Sequence, residues 1–342
     1  MAERSGINSI TSFDPSVFRV RCAGEITDWN PEEFFSPQRL KRLDRYAQFA
    51  VVSAKLALED ARIEYSRENP QDRVGVSFGT ALGGVCKAEE QYIRYLKKGA
   101  RGVQPTLAVQ VFGGSAHSNI AIEFGFRGVG TTNSNSCASG TVSVGEAIRY
   151  IRDDFADVVV AGGAEAPLTA ITIGAFDIIK TMSRWAGDPA LACRPFDALR
   201  DGFVMGEGGA SLVIEELEHA RARGAHIYAE VLGYSLNNDA FHMTTPLPSR
   251  STTSTLTPVR PSSTTARKPR RSNKSLASMH SGFLSVERKV ITPTRSARPA
   301  RSKRRFALCR WIGNGFRRRS TIGIPIRRAI STLCQTMAGR PS

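Results

Sequence analysis

The sequence predicts an α/β protein built on a parallel sheet, and three observations carry that prediction. Residues 129–136, 140–155 and 157–161 read as strand, helix and strand in turn, which is the order of a βαβ unit. The last of these is a short continuous apolar run (DVVVA) rather than an alternating one, as expected for a strand buried on both faces. Residues 72–79 (DRVGVSFG) read as a further buried strand, closed by the glycine-rich loop 79–84 (GTALGG).

The remaining elements follow from periodicity. Over 37–65, Leu40, Leu43, Ala47, Ala50, Val51, Ala54, Leu58 and Ala61 recur at helical spacing with charges between them, which predicts one amphipathic helix. Residues 89–98 and 115–124 read as helices, the second stopped by Gly125. In 140–155 the apolar residues Val142, Val144, Ala147, Ile148 and Ile151 line one helical face. Further on, 210–215 (ASLVIE) reads as a strand, 217–223 as a helix and 227–234 (IYAEVLGY) as another strand. From Leu247 onward Ser, Thr, Arg and Pro dominate and neither period persists, so composition predicts a disordered basic tail.

Charge divides the chain at the same place. The 342 residues hold 47 Lys+Arg against 31 Asp+Glu, a formal net charge of +16. Residues 247–342 carry 22 of the bases and a single acid, Glu287, a balance of +21. The other 25 bases and 30 acids leave 1–246 at −5, so the overall figure describes neither part. The tail has no RNP, helix-turn-helix or zinc-finger pattern, which leaves only nonspecific, salt-sensitive attraction to nucleic acid. No apolar run is long enough to span a membrane, and the first residues (MAERSGINSITSFDP) lack a secretory h-region. Six scattered cysteines without a CxxC pair argue against a disulfide framework or a structural zinc site and suit a reducing, cytoplasmic setting.

The segment richest in chemistry is 133–140, NSNSCASG. It places Cys137 between a strand and a helix N-terminus among small residues. A helix dipole favours the thiolate there, and free backbone N–H groups can stabilise an oxyanion. On local pattern two readings stand: an acyl-accepting nucleophile, or a small buried cysteine of the ordinary structural kind. The loop 79–84 is not a phosphate loop, because no GK[ST] follows it. His117, His219 and His226 read as structural, and Glu207 as a buried, satisfied carboxylate rather than a general base.

Several segments, in order, resemble the β-ketoacyl-acyl-carrier-protein synthases of the thiolase-like superfamily. They are VGVSFGTALGG (74–84), SNSCASGTVSVGEAI (134–148), VVVAGGAEAP (158–167), the long block from CRPFDALRDGFVMGEGG to AEVLGY (193–234), and DAFHMTTP (239–246). The resemblance implies a layered α-β-α-β-α fold of two similar halves. Residues 1–224 would supply the N-terminal half without its first strand, 225–246 the start of the C-terminal half, and 247–342 the unrelated tail. It implies 3-oxoacyl-acyl-carrier-protein synthase activity in fatty-acid or polyketide elongation: acyl transfer to Cys137, then decarboxylative Claisen condensation with malonyl-carrier protein. Leu82 falls at an apolar gate of the acyl pocket, with Ala81 where the family has glycine. Phe176 matches an acyl- or pantetheine-channel position, and His242 and Thr244 match the HMT segment at the substrate entrance. For His242 a hydrogen-bonded structural role stands beside that one.

The resemblance further implies an acyl carrier protein as partner, a homodimer, and no metal or organic cofactor, since the pantetheine arm arrives on the carrier. The family's two catalytic histidines lie in HGTSTP-like and FGFGGHN-like segments that this sequence does not contain; after His242 the next histidine is His280, in SMHSGF. The alternative reading is therefore an inactive pseudo-synthase or fragment that keeps only carrier binding or dimerisation. A reading-frame shift near Leu247 accounts for the tail. Shifted codons from Arg260 and over 320–339 permit stretches similar to the family's, and arginine-rich codons out of frame account for the charge.

Overall fold

The computed structural model describes residues 5–238, Ala240, Phe241 and the strand Phe306–Cys309. His242, Thr244, Met1 to Arg4 and the remainder of 247–342, with the frame-shift reading, lie outside the described residues. In chain order the elements are β1 (Asn8–Ser9), β2 (Cys22–Ala23), α1 (Pro37–Leu40), α2 (Arg45–Ala61), β3 (Val74–Gly79), α3 (Val85–Lys98), α4 (Leu107–Gln110), α5 (Ser115–Phe124), β4 (Gly130–Asn133), α6 (Ser139–Arg152), β5 (Val158–Glu165), α7 (Ala170–Ile178), β6 (Gly208–Glu216), α8 (Leu217–Ala222), β7 (Ala229–Glu230) and β8 (Phe306–Cys309). β1 and β2 pair as a small antiparallel ribbon, and the other strands form one sheet in the order β4-β3-β5-β6-β8-β7.

The sheet is layered by simple alternation. Val74, Val76 and Phe78 of β3 and Val158, Val160 and Ala164 of β5 face one side, where they pack with α2 and α5. Val159 and Ala161 of β5 and Leu212 and Ile214 of β6 face the other, against Ala147, Ile148 and Ile151 of α6. The described residues thus make an α-β-α stack, three of the five layers that the resemblance implies. No helix among them is long and apolar enough to cross a membrane.

Three expectations need correction. First, the amphipathic helix over 37–65 is two helices. The chain leaves helical geometry between Leu40 and Arg45, and Asp44 caps α2 through a bond from the Tyr46 N–H. Apolar spacing carries across that break, so periodicity alone did not reveal it; the aspartate before a helical run was the available signal. Second, the sheet is mixed. β3, β4 and β5 are parallel, but β6 runs antiparallel to β5, with Glu165 opposite Gly208. The 42 residues between them leave and return at the same end of the sheet, so no crossover reverses the direction. Third, the strand expected over 227–234 shrinks to Ala229–Glu230, because its neighbour β8 pairs with those two residues alone.

β8 itself lies in the segment that composition marked as patternless. Its backbone pairs antiparallel with β6 from Val213↔Cys309 to Glu216↔Phe306. Four consecutive residues are too short for a period to show, which is why periodicity left this strand unmarked.

Candidate active site

The carboxyl ends of β4, β3 and β5 lie side by side, with Asn133 opposite Gly79 and Gly79 opposite Gly163. Sites in α/β sheets form at such ends. Beyond β4 the chain makes a single 3₁₀ turn, Ser136–Ala138, that runs straight into α6. Ser136 sits at φ 50°, a left-handed value uncommon for a residue with a side chain, so the turn is a strained connection of the kind that clusters at functional sites. Two glycines let α6 approach. A Cβ on Gly79 would fall 2.4 Å from the Ser139 carbonyl group, and one on Gly163 would fall 3.2 Å from the Gly140 Cα.

Cys137 occupies the middle of this turn and is exposed. The N-cap of α6 is Ala138, which has no side chain able to accept from the first amides. The thiol therefore stands before the positive end of a 14-residue helix. The turn is held from below. Asn133 Nδ2 donates to the Ser139 carbonyl (3.0 Å) and to Ser143 Oγ (2.8 Å). Ser139 Oγ donates to the Ser136 carbonyl at 2.8 Å.

The other cysteines differ in kind. Cys22 is buried, and Cys86 and Cys193 are partly buried. Desolvation raises all three thiols, with that of Cys86 pushed up to about 12 while it donates to the Ala166 carbonyl. Of Cys22, Cys86, Cys137 and Cys193, Cys137 is the one exposed thiol. The same residues hold no cluster of His, Cys, Asp and Glu suited to a metal ion.

Leu82 lies in the loop after β3 and is 40% exposed. The structure brings this loop to the cysteine turn: Ser134 Oγ donates to the Ala81 carbonyl at 3.0 Å. Phe176 lies on α7, in the excursion between β5 and β6. It is half-buried and packs edge-on to Phe203 at 5.6 Å, beside the cluster of Leu168, Ile173 and Met182. His242 and Thr244 fall outside the described residues. His117 is bound through Nδ1 to Thr132 Oγ1 at 2.7 Å, and burial lowers its pKa. Glu207 is buried and takes a two-point bond from Arg45 (2.8 and 2.6 Å) and a third from the Ile26 N–H.

Sequence reading missed Glu165. It ends β5 with its carboxylate bound to the loop after β3, accepting from Thr80 Oγ1 (2.9 Å) and from the N–H groups of Ala81 (2.5 Å) and Leu82 (3.1 Å). Burial raises its pKa, and these three bonds oppose that effect. The one available signal was an acid directly after a buried strand that is otherwise wholly apolar and small.

A 3-oxoacyl-[acyl-carrier-protein] synthase 2 of Staphylococcus aureus is 40% identical over 244 residues, covering 71% of this chain and 60% of the relative. A β-ketoacyl synthase from Burkholderia phymatum STM815 superposes with a TM-score of 0.63 at 31% identity, over 71% of this chain and 60% of that one. A type II polyketide ketosynthase, solved in complex with its acyl-carrier protein and bound to a hexaketide, gives 0.61 at 31% identity over 70% of this chain and 58% of that one. The chain thus spans about 60% of the length of the curated relatives it matches. The profile of the β-ketoacyl synthase N-terminal domain matches residues 1–220, and the chain belongs to the β-ketoacyl synthase family.

Proposed function

We propose that this chain accepts an acyl group on Cys137 as a thioester, the first half of the reaction of a 3-oxoacyl-acyl-carrier-protein synthase. The observation that carries the reading is the exposed Cys137 thiol at the uncapped N-terminus of α6, with Cys22, Cys86 and Cys193 desolvated. The Cys137 thiolate attacks the carbonyl carbon of an acyl thioester. The donor's C–S bond breaks, and the departing thiol takes up the proton that Cys137 released. The negative charge that develops on the carbonyl oxygen is met by amides at the start of α6.

The donor that suits this chemistry is an acyl group on the pantetheine arm of a carrier protein, and no further cofactor is required for the transfer. Leu82, Phe176, His242 and Thr244 remain the proposed contacts for the arriving chain, with a second copy of the protein as the dimer partner and the cytoplasm as the setting. Condensation is a separate step, in which a malonyl group loses CO₂ and its carbanion attacks the acyl carbonyl carbon, releasing the Cys137 thiolate. The histidines that the resemblance assigns to that step have no counterparts in this sequence. For this chain the reading is therefore acylation without condensation, in the fatty-acid or polyketide class.

Incubation with acyl- and malonyl-carrier protein tests it, with adducts followed by mass and CO₂ release followed in parallel. The expected result is acyl addition at Cys137 with no CO₂ release above a Cys137→Ala control. Absence of any adduct would instead favour a fragment that retains only carrier binding or dimerisation.

A further inference from the structure

Glu165 is a partly buried carboxylate for which acyl transfer has no use. Its three partners, Thr80 Oγ1 and the Ala81 and Leu82 amides, all belong to the short loop after β3. Thr80 Oγ1 in turn accepts from the Gly83 N–H at 3.0 Å, closing the loop on itself. The loop's opposite edge faces the nucleophile turn: its carbonyls accept from Ser134 Oγ (3.0 Å, at Ala81) and Ser139 Oγ (3.4 Å, at Thr80). Residues 80–83 therefore form a strap between Glu165 and the Cys137 turn, and Leu82 is the one large side chain on it.

The anchoring is stiff for physical reasons. A carboxylate takes shorter and stronger bonds than a neutral acceptor, and three donors converge on this one. The strap has little room to move sideways, since a Cβ on Gly84 would meet the Gln110 carbonyl oxygen at 2.2 Å. The carboxylate does not touch the thiol in any bond described, so any influence on the chemistry passes through the strap.

We propose that Glu165 is a positioning residue for acyl selectivity: it holds Leu82 at the mouth of the Cys137 site, where the leucine limits how a long chain reaches the sulfur. The proposal rests on the reading of Cys137 as acyl acceptor, but its test does not need acyl transfer. Iodoacetamide and N-octyl-iodoacetamide alkylate a thiol by the same displacement of iodide and differ in tail. Their rates at Cys137 in the full chain, resolved by peptide mapping, give a long-to-short ratio.

In Glu165→Gln, which replaces the carboxylate by a neutral amide with a single acceptor oxygen, this ratio rises by about threefold or more while the rate with iodoacetamide stays within about twofold. Thr80→Val removes one arm of the anchor and raises the ratio in the same direction by less. A ratio unchanged in both variants overturns the proposal; should Glu165→Gln not fold, an unchanged ratio in Thr80→Val overturns it alone. A wild-type Cys137 that alkylates but never takes an acyl group from a thioester overturns the acyl-acceptor reading, and the ratio still decides the role of Glu165.

Discussion

Gly79 and Ser139 touch through their backbones, so closely that a single methyl group on Gly79 would lie 2.4 Å from the Ser139 carbonyl carbon and oxygen. This contact seats the first turn of α6, and with it Cys137, on the end of the central strand pair. Gly79→Ala is expected to push the turn away from β3 at a cost of about 1–3 kcal/mol. The check has two readings, the urea midpoint and the rate of Cys137 alkylation by iodoacetamide, and both should change. Gly99→Ala serves as a control, because nothing lies near its Cβ, although its φ of 62° carries its own strain.

The ion pair between Arg45 and Glu207 joins α2 to the loop before β6, with Glu207 buried and Arg45 also donating to the Ile26 carbonyl at 2.7 Å. Arg45→Met strips a buried carboxylate of its guanidinium, with an expected cost of about 3 kcal/mol. The double variant with Glu207→Gln should recover part of that loss, since no unpaired charge remains. Equal instability of the single and double variants in urea unfolding would contradict the pairing.

Asp44 links two helices, capping α2 at the Tyr46 N–H and accepting from the Lys87 N–H on α3, both at 3.1 Å. Burial raises its pKa from 3.8 to about 6 against the lowering effect of these bonds. A carboxyl group that ionises less readily in the folded state stabilises it in full below the unfolded pKa, and that contribution is lost as pH rises through the folded pKa. The stability of the wild type relative to Asp44→Asn should therefore fall between about pH 4 and pH 7, by an amount on the order of 3 kcal/mol. Asparagine keeps the cap but does not titrate. A pH-independent difference between the two unfolding curves would show that Asp44 is not the titrating group.

Much of this arrangement was legible in the sequence because its signals are local. Gly125 marked the end of α5, where its φ of 73° closes the helix. Cys137 stood out because small residues flank it at a strand-to-helix turn. The break before α2 was masked by apolar spacing that continues across it, from Leu40 through Leu43 to Ala47. The antiparallel direction of β6 and the pairing of β8 are long-range facts, fixed by where the connecting chain returns rather than by any window of residues. Glu165 escaped notice because its partners lie more than 80 residues away, at Thr80, Ala81 and Leu82.

The central claim is that Cys137 is the acyl acceptor, and site-resolved mass spectrometry after exposure to an acyl-pantetheine thioester tests it most directly. The account predicts a single acyl group on the peptide containing Cys137, absent in Cys137→Ser, with Cys22, Cys86 and Cys193 unmodified. Acylation of Cys86 or Cys193 in preference to Cys137, or a folded protein that takes no acyl group at all, would contradict it.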